Sequence, residues 1–179
     1  MSSSSAVDAD PPRRRYLVAP DKFKGTLTGA EAAEAIARGI RSVDPTADIT
    51  LFPFADGGEG SVDAVVFAGG ERRRRTVTGP TGTPVEASWA CLDGVAFIEM
   101  SESSGLRHVT PTPATALCAD TTGTGELIAE ALDTGGITCV VIGVGGSATT
   151  DGGFGALRAL GVRFLDTVGD PIRDICELT

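Results

Sequence analysis

Glycine in this chain comes in clusters, each set beside a short structured run. The longest cluster occupies residues 143–153 (GVGGSATTDGG) and follows the apolar run 137–142 (ITCVVI). A second occupies residues 55–60 (ADGGEG) behind residues 48–54 (DITLFPF), and a third, residues 121–125 (TTGTG), opens a helical pattern. Glycine makes up 24 of the 179 residues, well above its usual share of ~7%. A glycine loop behind a buried strand lets the backbone approach a ligand closely and turn its N–H groups onto an anion. In open α/β sheets, ligands gather at the carboxyl ends of the strands, where such loops lie.

The remaining pattern agrees with an α/β chain. Residues 16–20 (YLVAP) predict a buried strand that Pro20 ends. Thr28, with Glu31 three residues on, predicts a helix closed by a capping box. Ile36, Ile40 and Val43 form one apolar stripe on that helix, and Asp44-Pro45 stops it. Residues 48–54 predict the next strand, giving a β-α-β unit with a parallel pair. A short helix through Val62, Val65 and Val66 ends at Gly69 and Gly70. The character then changes. Residues 75–78 and 85–92 predict strands, the second with Val85, Ala87, Trp89 and Cys91 on one face. Asp93-Gly94 before the apolar run 95–100 is a type I′ hairpin signal. Residues 72–101 therefore predict an antiparallel segment between α/β parts. Residues 102–118 read as loop. A helix carrying Leu127, Ile128, Ala131 and Leu132 follows, then a strand at 137–142, a short helix near 156–160 and a strand at 162–166. Residues 1–15, Ser-rich and ending in three arginines, read as a disordered tail.

Composition narrows the function. Apolar residues at 41% against 22% charged give a chain that buries a core. No window approaches ~18 consecutive apolar residues, which excludes a membrane-spanning helix, and residues 1–15, with no apolar stretch of 7–15 residues after them, are not expected to be a secretory signal. A net charge of −9 argues against a nucleic-acid or anionic-membrane binder, which wants a basic face. It leaves room for a small anion held by local N–H groups and one or two lysines. Cys91, Cys118, Cys139 and Cys176 form no C-x-x-C pair and His108 is the single histidine, so a zinc site is disfavoured. Cys91 and Cys139 sit in apolar runs and are expected to be buried, in a reduced, cytosolic setting.

Three loops carry chemistry-bearing residues. Residues 143–148 (GVGGSA) fit G-x-G-x-x-G/A, and Asp166 lies about 20 residues on, as a ribose-binding acid would in a dinucleotide fold. Residues 149–153 interrupt that pattern where its helix should open, so contact with a phosphate or substrate is the stronger reading. A P-loop motif is missing. Residues 121–125 are a weaker version of the same idea. Asp56 and Glu59 stand among glycines at a strand's carboxyl end. They suit Mg²⁺ or general-base work there, and equally turn chemistry and the first turn of a helix. Asp21, Lys22 and Lys24 hold the matching place after the first strand, where lysine neutralises a phosphate or carboxylate. The run Arg72, Arg73, Arg74 and Arg75 reads as a solvated face or rim, and His108 has no obvious partner.

Taken in order, six segments resemble the bacterial type I glycerate kinase family: VAPDKFKGTLT (18–28), ADGGEG (55–60), VTGPTGTPVEASW (77–89), AFIEMSESSGL (96–106), TTGTGELI (121–128) and IGVGGSATTDGG (142–153). Each alone is weak; six in order across residues 16–166 are highly specific. The resemblance implies an ATP- and Mg²⁺-dependent cytoplasmic kinase that transfers the γ-phosphoryl group to a hydroxyl of D-glycerate. It implies an α/β fold, with a flavodoxin-like parallel-sheet domain, a second inserted α/β domain containing an antiparallel hairpin, and a site in the cleft between them. On that scheme residues 1–15 are the tail, residues 16–70 begin the flavodoxin-like domain and residues 71–179 form part of the inserted one. Lys24 is then expected to neutralise an anion, and Asp56 and Glu59 to serve Mg²⁺ or as general base. Gly145, Gly146 and Ser147 would cradle an anion, with Asp151 a second base or metal candidate. Asp21, Gly57, Gly58, Gly123, Gly125 and Gly143 complete the expected binding set.

Members of that family are longer, and residues from Thr167 onward match it weakly. The expectation is an N-terminal portion with little activity alone, the C-terminal half of the fold being absent. Its apolar sheet edges would be covered by a complementary C-terminal chain or by self-association. Two other readings stand beside it. One is a non-catalytic remnant or interaction half of a split kinase; the other is a dinucleotide-binding oxidoreductase built on residues 143–166.

Overall fold

The computed structural model describes residues 13–23 and 25–173. Lys24, most of the expected tail (residues 1–12) and residues 174–179, Cys176 among them, lie outside the described residues.

The chain opens with the expected β-α-β unit. Strand β1 (Arg15–Val18) lies parallel to β2 (Asp48–Leu51), with Tyr16 opposite Ile49. Helix α1 (Gly29–Val43) connects them. Its capping box forms in full: Glu31 N donates to Thr28 Oγ1 at 3.2 Å, and Thr28 N donates to Glu31 Oε2 at 2.8 Å. Strand β2 is shorter than the apolar run behind it, because Pro53 has no N–H to extend the ladder. The parallel alignment still continues, as Phe52 N donates to Val18 O at 2.8 Å and Phe54 N to Pro20 O at 3.0 Å. The loops after the two strands therefore leave side by side.

Helix α1 departs from its expected stripe. Its buried residues are Ala32, Ala33 and Ala37, while Ile36 is 44% and Val43 86% exposed. The cause is close approach. A side chain at Gly29 would stand 3.4 Å from both Pro20 O and Pro53 Cβ, so the small residues turn inward.

A second, mixed sheet follows. Strands β3 (Glu71–Thr78), β4 (Pro84–Leu92), β5 (Val95–Glu99) and β6 (Cys139–Gly143) lie in that order. The first two pairings are antiparallel and β5–β6 is parallel. The hairpin at Asp93-Gly94 has φ of 50° and 77°, the two positive values a type I′ turn requires. Strand β3 starts earlier than expected and contains the arginine run. Arg72 pairs with Asp63, Arg75 pairs with Glu130, and Arg73 lies over the Trp89 ring. Side chains of Val77, Ala87, Trp89, Ala96 and Ile98 form the core with Leu127 and Ala131 of helix α5 (Thr122–Asp133). Full burial of its larger aliphatic members, Val77, Ile98 and Leu127, contributes about 1.5–3 kcal/mol each. Helix α2 (Ser61–Phe67) packs on β4 and β5.

Other expectations need correction. Residues 102–118 are largely helical: α3 (Met100–Ser104), a 3-10 turn (Leu106–His108) and α4 (Pro113–Cys118). The signal for α4 was present, since Pro113 occupies its first turn and Thr112 with Thr115 forms a capping box. Residues 162–166 form no strand; Leu165 makes one isolated bridge to Pro171. The chain bends back on itself there, with Ile172 N donating to Phe164 O, and no second strand lies alongside among the described residues. A last short helix, α6, covers Phe154–Ala159. Cys139 is exposed and Cys91 half-buried, both as free thiols; Cys139 opens β6, which forms an edge of its sheet. Cys118 is disulfide-bonded, which departs from the reduced state expected of the cysteines. Among the described residues, no helix is long and apolar enough to cross a membrane.

Candidate active site

Strands β1, β2 and β6 each end in one of the sequence motifs, and two of these motifs dock backbone to backbone. Gly145 N donates to Gly57 O at 3.1 Å. A side chain at Gly143 would stand 2.3 Å from Gly57 O, and one at Gly145 would stand 2.6 Å from Gly58 Cα. Gly57, Gly58, Gly143 and Gly145 thus form one compact unit that links the two sheets. Asp56 projects from its edge, exposed, with Oδ1 accepting from Gly58 N at 3.2 Å. No other hydrogen bond of its carboxylate is seen among the described residues.

The other side of residues 143–148 rests on the turn after β5. Leu106 N donates to Gly146 O at 3.0 Å, and Ala148 N to Ser104 O at 2.9 Å. Ser147 Oγ lies 2.8 Å from Thr149 Oγ1 and accepts from Thr149 N. Ser147, Thr149, Asp151 and Gly153 line a cavity of about 420 Å³ with Thr121, Thr124 and the apolar Ile142 and Val144. Sequence reasoning passed over Glu99, which sits at this junction and is 2% exposed. Its signal was an acid ending the apolar run 95–98.

Asp151 is buried, at 9% exposure. Oδ2 accepts from Thr121 N at 2.9 Å, Thr121 Oγ1 at 2.7 Å and Gly155 N at 3.0 Å, while Oδ1 accepts from Gly153 N at 3.1 Å. Burial pushes its pKa up, yet the donors from Gly155, Thr121 and Gly153 outweigh this and hold it below the usual value. A carboxylate so occupied is a weak base; its geometry fastens the glycine loop to the start of α5. Gly123 and Gly125 lie inside the first turn of α5. Their missing side chains would meet Thr78 O at 2.0 Å and Ala156 O at 2.5 Å, so close helix packing occupies that space.

Asp21 and Lys22 approach the 55–60 loop from β1. Lys22 N donates to Asp21 Oδ1 at 2.6 Å, and the Lys22 side chain is only 14% exposed. A cavity of about 270 Å³ lies here, lined by Lys22, Thr26, Thr28, Glu31, Glu59 and Asp63 among others. Glu59 therefore faces the first loop. No cluster of three metal-ligating side chains occurs among the described residues. Mg²⁺ in phosphoryl-transfer sites needs only one or two carboxylates plus substrate phosphates, and Asp56, exposed and lightly bonded, fits such a role. His108 has partners after all, its Nε2 lying 2.8 Å from Glu102 O and 3.2 Å from Arg107 Nε. The dinucleotide reading fails on geometry: α6 opens only at Phe154, and Asp166 sits in a turn, accepting from Val168 N and Asp170 N.

Parallel strands ending in interlocked glycine loops, with carboxylates and a lysine beside them, define an α/β protein of the class that carries its ligand site beyond the strand ends. Comparison with known proteins makes this particular. A model of the glycerate kinase family matches residues 16–178, and the chain belongs to that family. The match runs past residue 166, so residues after Thr167 follow the family further than expected. Over 161 residues the chain is 49% identical to the glycerate kinase of Bacillus subtilis (strain 168), covering 88% of this chain and 42% of the relative. It is 45% identical to the glycerate 2-kinase of Escherichia coli (strain K12), with the same coverage. A crystal structure from Salmonella typhimurium LT2, assigned as a glycerate kinase 2, superposes with a TM-score of 0.78 at 43% identity, over 90% of this chain and 44% of that one. The chain spans less than half the length of these relatives.

Proposed function

We propose that this chain supplies the N-terminal part of a type I glycerate kinase, a cytoplasmic enzyme that phosphorylates a hydroxyl of D-glycerate with ATP and Mg²⁺. The observation that carries the reading is the convergence of residues 55–60 and 143–147 at the strand ends, in a chain of this family. In this reading the β-α-β unit begins a flavodoxin-like domain and the mixed sheet belongs to an inserted second one.

Phosphoryl transfer asks a protein mainly for positioning and charge neutralisation. Lys22, and Lys24 two positions on in the sequence, neutralise substrate or phosphate charge. Gly146 and Ser147 hold an anion through N–H and hydroxyl donors, while Gly145, its own N–H taken by Gly57 O, keeps the backbone close. Asp56 either takes the glycerate hydroxyl proton or, with Glu59, holds Mg²⁺, which when bound offsets charge on the phosphates. The hydroxyl oxygen bonds the γ-phosphorus as the bond to the β-phosphate oxygen breaks, leaving ADP. A second reading, the interaction half of a split kinase, is favoured by an apolar groove of about 610 Å³ lined by Phe52, Phe54, Phe67, Phe97 and Val141.

The test is ADP release from ATP with and without D-glycerate, on this chain alone and with the remaining family polypeptide supplied. Asp56→Asn is expected to lower glycerate-dependent release by about 10²–10⁴-fold if it is the base, with the fold retained. ADP release indifferent to D-glycerate in both settings defeats the kinase reading.

A further inference from the structure

Glu99 is an acid with no place in the mechanism above, buried where three motifs meet. It ends β5, and its side chain points at the start of α2. Oε1 accepts from Val62 N, and Oε2 accepts from Gly60 N at 3.2 Å and from Ser101 Oγ at 3.1 Å. Helix α2 has no cap of its own, because its N-cap is Gly60, with φ of 97° and no side chain. A glutamate from a different strand, far away in sequence, satisfies the orphan N–H groups that a local Ser or Asp would otherwise take.

The geometry points to Glu99 as the positioning residue for the Asp56–Gly60 loop, fixing where that loop ends so that Gly57 and Gly58 meet Gly143 and Gly145. The loop is held at three places. Asp56 bonds Gly58 within it, Gly145 N bonds Gly57 O at its middle, and Glu99 clamps its exit at Gly60 and Val62. Ser101 ties the same carboxylate to α3, and the Gly146 backbone comes close to Ser101, since a side chain at Gly146 would stand 3.2 Å from Ser101 Cβ. One carboxylate therefore couples the exit of the second loop to the support of the third. Burial drives the Glu99 carboxyl above its ordinary pKa, only partly offset by Val62, Ser101 and Gly60, with Glu102 adding to the rise. An apolar residue would avoid that desolvation but leave the buried Val62 N–H and the half-buried Gly60 N–H unpaired.

The effect on catalysis rests on the proposed kinase reading; the effect on the loop does not. Glu99→Gln keeps the shape and turns an NH₂ group toward one of the donors. By amide hydrogen exchange, Gly57, Gly58, Gly60 and Val62 are expected to exchange about 10–100-fold faster, as for loss of a charged hydrogen bond. Amides of β4 and α5 should keep their rates. Acceleration that is uniform across the molecule makes Glu99 a general stability residue and overturns the proposal, as does no change at Gly60 and Val62. If Glu99→Gln does not fold, Ser101→Ala decides. It frees one side of the carboxylate and should raise exchange at Gly60 alone, by a smaller factor, and an unchanged Gly60 overturns the proposal. In the complete kinase, Glu99→Gln should lower kcat with KM for ATP held, and Glu99→Asp, which keeps the charge, should restore part of it. Loss through KM alone counts against the positioning role. Failure of any variant, the parent included, to show glycerate-dependent ADP release defeats the kinase reading and leaves the exchange result standing.

Discussion

Asp151 uses both carboxylate oxygens inside the protein, and that sets the sign of its pH dependence. Its folded pKa lies below the ordinary value, because the bonds from Gly155, Thr121 and Gly153 outweigh the effect of burial. The stability it contributes is therefore present above the unfolded aspartate value of about 4 and lost as pH falls through the folded value. Asp151→Asn places an NH₂ group opposite N–H and O–H donors. It is expected to cost about 1–3 kcal/mol near pH 7, with the gap to the parent closing in acid. Urea denaturation of both proteins at pH 7 and pH 3 checks this. An equal deficit at both pH values would mean that shape matters at this position and charge does not. Glu99 has the opposite sign: its pKa is raised, so its contribution fades as pH rises through the folded value.

At the scale of elements, the two docked glycine loops make the sharper claim. Gly143 and Gly145 are required by the Gly57 and Gly58 backbone pressed against them, and backbone cannot move aside as a side chain can. Gly145→Ala is expected to cost about 1–3 kcal/mol through overpacking. Gly135→Ala, where nothing stands within 4 Å, should be close to neutral. Thermal unfolding of the pair checks this, and equal melting temperatures would remove the docking argument. The contrast also explains what could be read in advance. The Thr28–Glu31 box and the Asp93-Gly94 turn each depend on residues within one turn of chain, so their chemistry is visible locally. The clustered glycines announced that backbone must come close to something. Their partners lie far off in sequence, so neither the Gly57–Gly145 bond nor the packing of Gly123 on Thr78 was legible. Glu99 was hidden for the same reason, as its donors belong to another element. The apolar stripe of α1 misled because the space at Gly29 favours alanine over the larger Ile36 and Val43.

For the whole molecule, what decides behaviour is the apolar surface left open between the two sheets. Phe52 is 58%, Phe54 54%, Phe67 44% and Val141 45% exposed around a groove of about 610 Å³. Strand β6 runs along its sheet edge with Val141 and Ile142 both largely open. Exposed aromatic and aliphatic side chains gathered in one groove mark an interaction site, and a parallel edge with no partner strand among the described residues invites further pairing. The relatives carry more than twice the covered length. The 179-residue chain is therefore expected to self-associate as concentration rises and, on the proposed kinase reading, to turn over well below the ~1–100 s⁻¹ usual for kinases. Alignment of two substrates is worth about 7–11 kcal/mol, and alignment needs both walls of a cleft. Sedimentation velocity across a concentration series, with Phe52→Ser and Phe54→Ser together as the variant, reads the first part. A monomer at every concentration, or association unmoved by the double substitution, rejects the groove as the contact. Turnover in the ordinary kinase range from a monomer would show that this part of the fold aligns ATP and glycerate without a second wall.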